Sequence, residues 1–148
     1  MGRARTPGSP QLLAELNLRA AVLAALTGID APGSVENFLA AARAREFPRD
    51  NALGLQLNDA QYELRRAAVV GLGYSRMDAA TTALISPDVL GDPDFRLRAA
   101  AVRALGVSGA TEALAPLLAR LEDRESEVRW EAAFVLGRIG RREAMGAL

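Results

Sequence analysis

The side chains in this sequence that could do chemistry are almost all carboxylates and guanidiniums. There are 18 acidic and 18 basic residues among 148, every base is an arginine, and histidine and cysteine are both absent. Without histidine the commonest general base and metal ligand is missing. Without cysteine, disulfides, thiolate metal sites and thiol nucleophiles are excluded, and the redox compartment is left open. Carboxylate, serine, tyrosine and metal-assisted chemistry remain. The one run resembling an oxygen-ligand site is "DRESE" at 123–127, which sets Asp123, Glu125 and Glu127 close together. Acidic residues in the first turn of a helix, favoured by the macrodipole, account for it more simply. No catalytic residue, metal ligand or cofactor is therefore assigned.

An all-arginine basic set could serve planar, bidentate recognition of carboxylate or phosphate, but GC-rich coding explains it far more simply. The net charge is zero and the pI about 6.3. That balance lacks the basic excess rewarded by phosphate backbones and anionic membranes, so no nucleic-acid partner is expected. At 50% hydrophobic and 24% charged, the chain can bury a core as one domain. "MGRARTPGSP", residues 1–10, has no apolar run that could act as a secretory signal and reads as a flexible tail. No window approaches the roughly 18 uninterrupted apolar residues of a membrane span. No membrane insertion is expected, and the expected location is cytoplasmic.

The same carboxylate and guanidinium recur in a fixed constellation. Asp59, Asp92 and Asp123 are each followed, after four residues, by an aliphatic and an arginine: Leu64-Arg65, Leu97-Arg98 and Val128-Arg129. Seven residues beyond each arginine stands a leucine and then a glycine: Leu72-Gly73, Leu105-Gly106 and Leu136-Gly137. Helices must position these residues. From Val128 the apolar residues Ala132, Val135, Leu136 and Ile139 follow at helical spacing, and from Leu97 so do Ala101, Ala104 and Leu105. Asp92 with Pro93 predicts a capped helix start, and Gly106 and Gly137 predict helix ends in left-handed conformation. Shorter alanine- and leucine-rich runs at 77–86 and 111–121 lie between. Each unit is thus a pair of antiparallel helices that must stack on its neighbours to bury its apolar face, which predicts an all-α fold, an α-solenoid.

Aspartate, aliphatic-arginine, small residues and leucine-glycine in this order resemble the HEAT repeat over residues 59–148, and the short period is similar to the bacterial variant of phycobilisome lyases. The resemblance implies that aspartate and arginine lie at the start of the second helix of each unit and link neighbouring units by a hydrogen-bonded ladder. It assigns that ladder to Asp59, Arg65, Asp92, Arg98, Asp123 and Arg129. It also accommodates Pro116 inside a first helix, where propensity alone would forbid it. Phycobilin lyases and HEAT-like alkylpurine DNA glycosylases share the repeat as scaffold, but the motif carries no catalytic residue across, and the neutral charge argues against the glycosylase.

The copies are not uniform. "LRAAVLAALTG", 18–28, keeps Leu18-Arg19 and Leu26 but has Leu13 where the aspartate should stand and Thr27 in place of the glycine. The expected organisation is a degenerate first unit at 11–28, a unit at 34–76, units at 77–109 and 110–140, and a half-repeat at 141–148. The 34–76 unit would carry an inserted loop at 47–57, after a helix capped by Ser34.

Registering the second helices at 100° per residue predicts a concave face. Glu63, Arg66, Val70 and Tyr74 would lie beside Arg96, Arg103 and Val107, and these beside Glu127, Trp130, Glu131, Phe134 and Arg138. Arginine mixed with tryptophan and tyrosine is the composition of protein-binding hot spots. Trp130 and Phe134 suit equally well packing against a terminal half-repeat or a further unit. The sequence therefore reads as a non-catalytic module binding another protein or peptide. The alternative is an accessory subunit of the bilin-lyase or modification-enzyme kind, holding a small molecule or a substrate protein.

Overall fold

Pro10 opens the first helix, α1 (Pro10–Ala25), at a position where its missing N–H costs nothing. The computed structural model describes residues 10–25, 27, 33–43, 52–75 and 77–146. The expected tail, apart from Pro10, lies outside them. Along the chain follow α2 (Ser34–Ala42), α3 (Ala52–Tyr74), α4 (Asp78–Ile85), α5 (Pro87–Leu90), α6 (Phe95–Ser108), α7 (Leu114–Ala119) and α8 (Ser126–Gly146). Two short 3-10 turns, Thr111–Ala113 and Arg120–Glu122, flank α7. The chain is an all-α solenoid. The long helices α3, α6 and α8 stack in a row, α1 packs on α3, and α2, α4 with α5, and α7 lie against them as the other layer.

The row is held by stripes of small and branched apolar side chains. Val128, Ala132, Val135 and Ile139 on α8, and Leu97, Ala101, Ala104 and Leu105 on α6, are all buried. All but Leu97 join Phe38, Ala68, Leu72, Leu84 and Leu117 in one continuous core. Burying a leucine or valine of this kind contributes about 1.5–3 kcal/mol, so no helix pair holds its place without the next. A second cluster, Leu16, Leu57, Ala60 and Leu64, fastens α1 to α3.

Several boundaries differ from expectation. Residues 52–57 of the expected loop are the first turns of α3, because Leu57 packs on Leu16; 47–51 lie outside the described residues. Ser34 does not cap α2. The cap is Gly33, in left-handed conformation at φ 78°, and the Ser34 hydroxyl faces the Met77 sulfur. Residues 141–146 are no separate half-repeat but continue α8. Pro116 stands third in α7, within the first turn, where its absent N–H has no partner to lose.

The motif glycines also differ in role. Gly73, Gly106 and Gly137 lie inside helices, and the left-handed cap of α6 is Gly109, at φ 65°. A Cβ on Gly73 would meet the Ala104 Cα at 2.8 Å, and one on Gly106 the Val135 Cγ2 at 2.8 Å. At these two sites glycine permits close approach of successive second helices.

Candidate interaction surface

Between the stacked helices run two buried ion pairs. Arg98 on α6 donates Nε to Asp123 Oδ2 at 2.9 Å and Nη2 to Oδ1 at 2.8 Å. Its Nη1 serves the Asp92 and Pro93 carbonyls of its own unit at 2.8 and 3.2 Å. One unit earlier, Arg65 on α3 donates Nη2 to Asp92 and Nε to the Ala42 carbonyl. Arg129 has the intra-unit half of the pattern, donating Nη1 to the Asp123 and Arg124 carbonyls at 2.9 and 3.0 Å. Arg98 and Arg129 thus tie their helix starts to the preceding turn, Arg65 reaches from the middle of α3 to the end of α2, and Arg65 and Arg98 reach across to the following unit.

The two aspartates are held differently. Burial pushes the Asp123 carboxyl up, but the Arg98 fork and the Glu125 amide outweigh it and hold it below the ordinary carboxylate range. Asp92 receives a single side-chain hydrogen bond from Arg65, and burial holds its carboxyl above that range despite the Asp94 amide and the Arg65 charge. Asp92 does not cap α6 itself. It accepts from the Asp94 amide at 2.8 Å, and Asp94 is the N-cap, accepting from the Arg96 amide at 2.9 Å. Asp123 makes the same turn with the Glu125 amide. With its carboxylate so engaged, the "DRESE" run has a structural use.

Asp59 departs from the pattern. It lies two turns into α3, exposed, because the helix begins at Ala52. It neither starts a helix nor meets Arg65, whose hydrogen bonds go to Ala42 and Asp92.

The residues expected on one face separate into three groups. Arg66, Val70, Tyr74, Arg103 and Val107 converge on a groove of about 180 Å³ between α3 and α6, floored by Ala100 and Ala104. Tyr74 is 53% exposed and Val107 also lies open. Glu63 lies beside the groove, accepting from Arg66 at 2.8 and 3.0 Å. Glu131 is buried rather than displayed, because Arg103 folds over it as its ion-pair partner. Arg96 lies elsewhere. Its guanidinium covers the Tyr62 ring at 4.1 Å and pairs with Asp94 at 2.7 Å, beside a small polar cavity that includes Asp59.

The third group is on α8. Trp130 and Phe134 stack at 5.4 Å with rings 6° from parallel, and Arg138 reaches 6.0 Å from the Phe134 ring. Trp130 is 63% exposed and Phe134 50%; they are not packed on a half-repeat. Glu127 is exposed one turn before them.

Residues 51–137 match the family model of HEAT repeats. The chain belongs to the HEAT repeat family. No curated protein matches it. Among the described residues no helix is long and apolar enough to cross a membrane.

Sequence reasoning on the HEAT units missed Tyr62 and Asp94. Asp94 had a readable signal, since it is the aspartate directly before the α6 helical run in "DPDF". Tyr62 had none, because its partner Arg96 comes from the next unit. Also missed was a mostly apolar cavity of about 720 Å³ beside α1, α2 and α3, lined by Leu12, Leu16, Val22, Leu23 and Leu64. Gln61 borders it, and its buried Oε1 has no hydrogen-bond partner.

Proposed function

We propose that this HEAT chain is a non-catalytic interaction scaffold that binds a segment of another protein along the groove between α3 and α6, on the concave side of the row. HEAT repeats are commonly protein-interaction scaffolds. The observation that carries the reading here is the convergence of an exposed tyrosine and valine with two arginine stems over an alanine floor. Tyr74 supplies a rigid, amphipathic anchor, and Arg66 and Arg103 can exchange their intramolecular carboxylates for those of a partner. An acyclic, acidic segment with one bulky apolar anchor suits that chemistry. The short repeat period supports a bacterial, phycobilisome-lyase-like subtype, and a cytoplasmic location accompanies the proposal.

The test is affinity purification from the source organism, followed by titration of the identified partner against purified variants. Tyr74→Ala should weaken binding at least about tenfold while the melting temperature stays within a few degrees, because an exposed anchor leaves no core cavity. Equal affinity for the parent chain, Tyr74→Ala and Arg103→Ala would overturn the groove assignment. A second reading, an accessory subunit holding a small molecule, is favoured by the cavity at α1, whose volume lies in the range of ligand pockets. A small molecule carried through purification, and lost on Leu16→Trp, would select it.

A further inference from the structure

The outer face of α8 corresponds in register to the face of α6 that α8 covers. Ala99, Val102, Arg103 and Gly106 on α6 align with Trp130, Ala133, Phe134 and Gly137 on α8. On α6, Ala99, Val102 and Gly106 are buried. On α8 all four are exposed, and a Cβ on Gly137 or Gly140 would meet nothing within 4 Å. A further unit stacked in the same register would meet Trp130 at the place where α6 has an alanine in full burial. On α3 the same register holds Arg66, exposed although α6 is stacked beside it, so a bulky side chain there leaves the face open to more than one packing geometry.

Its own pattern specifies one. At 100° per residue Trp130, Phe134, Gly137 and Arg141 fall within an arc of about 60°. The midpoint between 130 and 141 is also the midpoint between 134 and 137. Bulky rings occupy one half of the face, and the open Gly137 with Arg141 the other. Charge divides the same way, with Glu127 exposed towards the N-terminal end and Arg138 and Arg141 exposed towards the C-terminal end. We infer that α8 pairs antiparallel with α8 of a second copy of this chain, each Phe134 seating over the partner's Gly137. Each Trp130 then meets the guanidinium of the partner's Arg141, a cation–π contact. Each Glu127 comes beside the opposite arginine cluster, and the opposed helix dipoles add to the attraction. A twofold contact of this kind is isologous and closes at two copies.

Sedimentation velocity on the full chain, from about 5 to about 500 µM, tests the pairing. The weight-average mass should rise with concentration from 15.7 kDa towards twice that value and stop. The emission of Trp130, the single tryptophan, should shift to the blue over the same range. Gly137→Gln fills the open seat on a helix surface where nothing lies within 4 Å, so its helicity and melting temperature should equal or slightly exceed those of the parent while dimer affinity falls at least tenfold. Tyr74→Ala, on the separate groove, should dimerise as the parent does. A chain that stays monomeric to the highest concentration, a dimer that Gly137→Gln leaves intact, or open-ended oligomers would each overturn the inference.

Discussion

Asp123→Ala removes one carboxylate that performs three tasks. It accepts two hydrogen bonds from the Arg98 fork, Oδ1 also holds the Glu125 amide in the turn before α8, and Oδ2 accepts from Arg120 Nη1 at 3.4 Å. Arg98 is only 4% exposed, so its charge cannot turn to water once the carboxylate is gone. Breaking one half of a buried ion pair costs about 3–5 kcal/mol. Arg98 keeps the Asp92 and Pro93 carbonyls through Nη1, which places the cost at the lower end, about 3 kcal/mol, against a total stability for a domain of about 5–15 kcal/mol. Urea denaturation followed by far-ultraviolet circular dichroism should show the midpoint falling with little change in slope. Removing both partners, as Asp123→Ala with Arg98→Met, should recover much of the loss, since an apolar replacement leaves no buried charge. Asp59→Ala, on an exposed carboxylate, should change stability by less than about 0.5 kcal/mol. A cost for Asp123→Ala below about 1 kcal/mol, or one equal to that of Asp59→Ala, would refute the buried ladder as a source of stability.

Acid sensitivity should follow the same carboxylate. The folded Asp123 carboxyl titrates below its unfolded value of about 3.9, so its stabilisation is complete above that value and is lost as pH falls through the folded pKa. The stability gap between the parent and Asp123→Asn should therefore narrow below about pH 4; a gap constant from pH 7 to pH 2 would contradict this. Gly106→Ala should cost about 1–3 kcal/mol by forcing Val135 away, whereas Gly137→Ala should add up to about 1 kcal/mol through helix propensity, both read from thermal melts. Trp130 should emit at long wavelength and be readily quenched in dilute solution, and Trp130→Ala should cost less than about 1 kcal/mol; blue, protected emission at micromolar dilution would place it in a core.

The repeat was legible in the sequence because it is written in one dimension. An apolar side chain every three or four residues makes a helix that cannot bury its stripe alone, and three such copies need one another, so the stacked all-helical row follows from spacing and composition. The ladder role of Arg98 and Asp123 comes from the resemblance to the HEAT repeat, not from spacing. What the spacing could not carry was which partner each residue meets. Asp59 keeps the distance to Arg65 yet stands mid-helix, because Leu57 finds Leu16 and draws the helix start back to Ala52. Gly106 looks like a helix end and is instead, like Gly73, a place where the next helix passes within a methyl's reach. Glu131 lies on the outward side of a wheel drawn for one helix, but Arg103 from the neighbouring unit covers it. Periodicity is a property of a single segment and is set locally. Contact, burial and exposure belong to pairs of segments, and only the packed tertiary structure decides them.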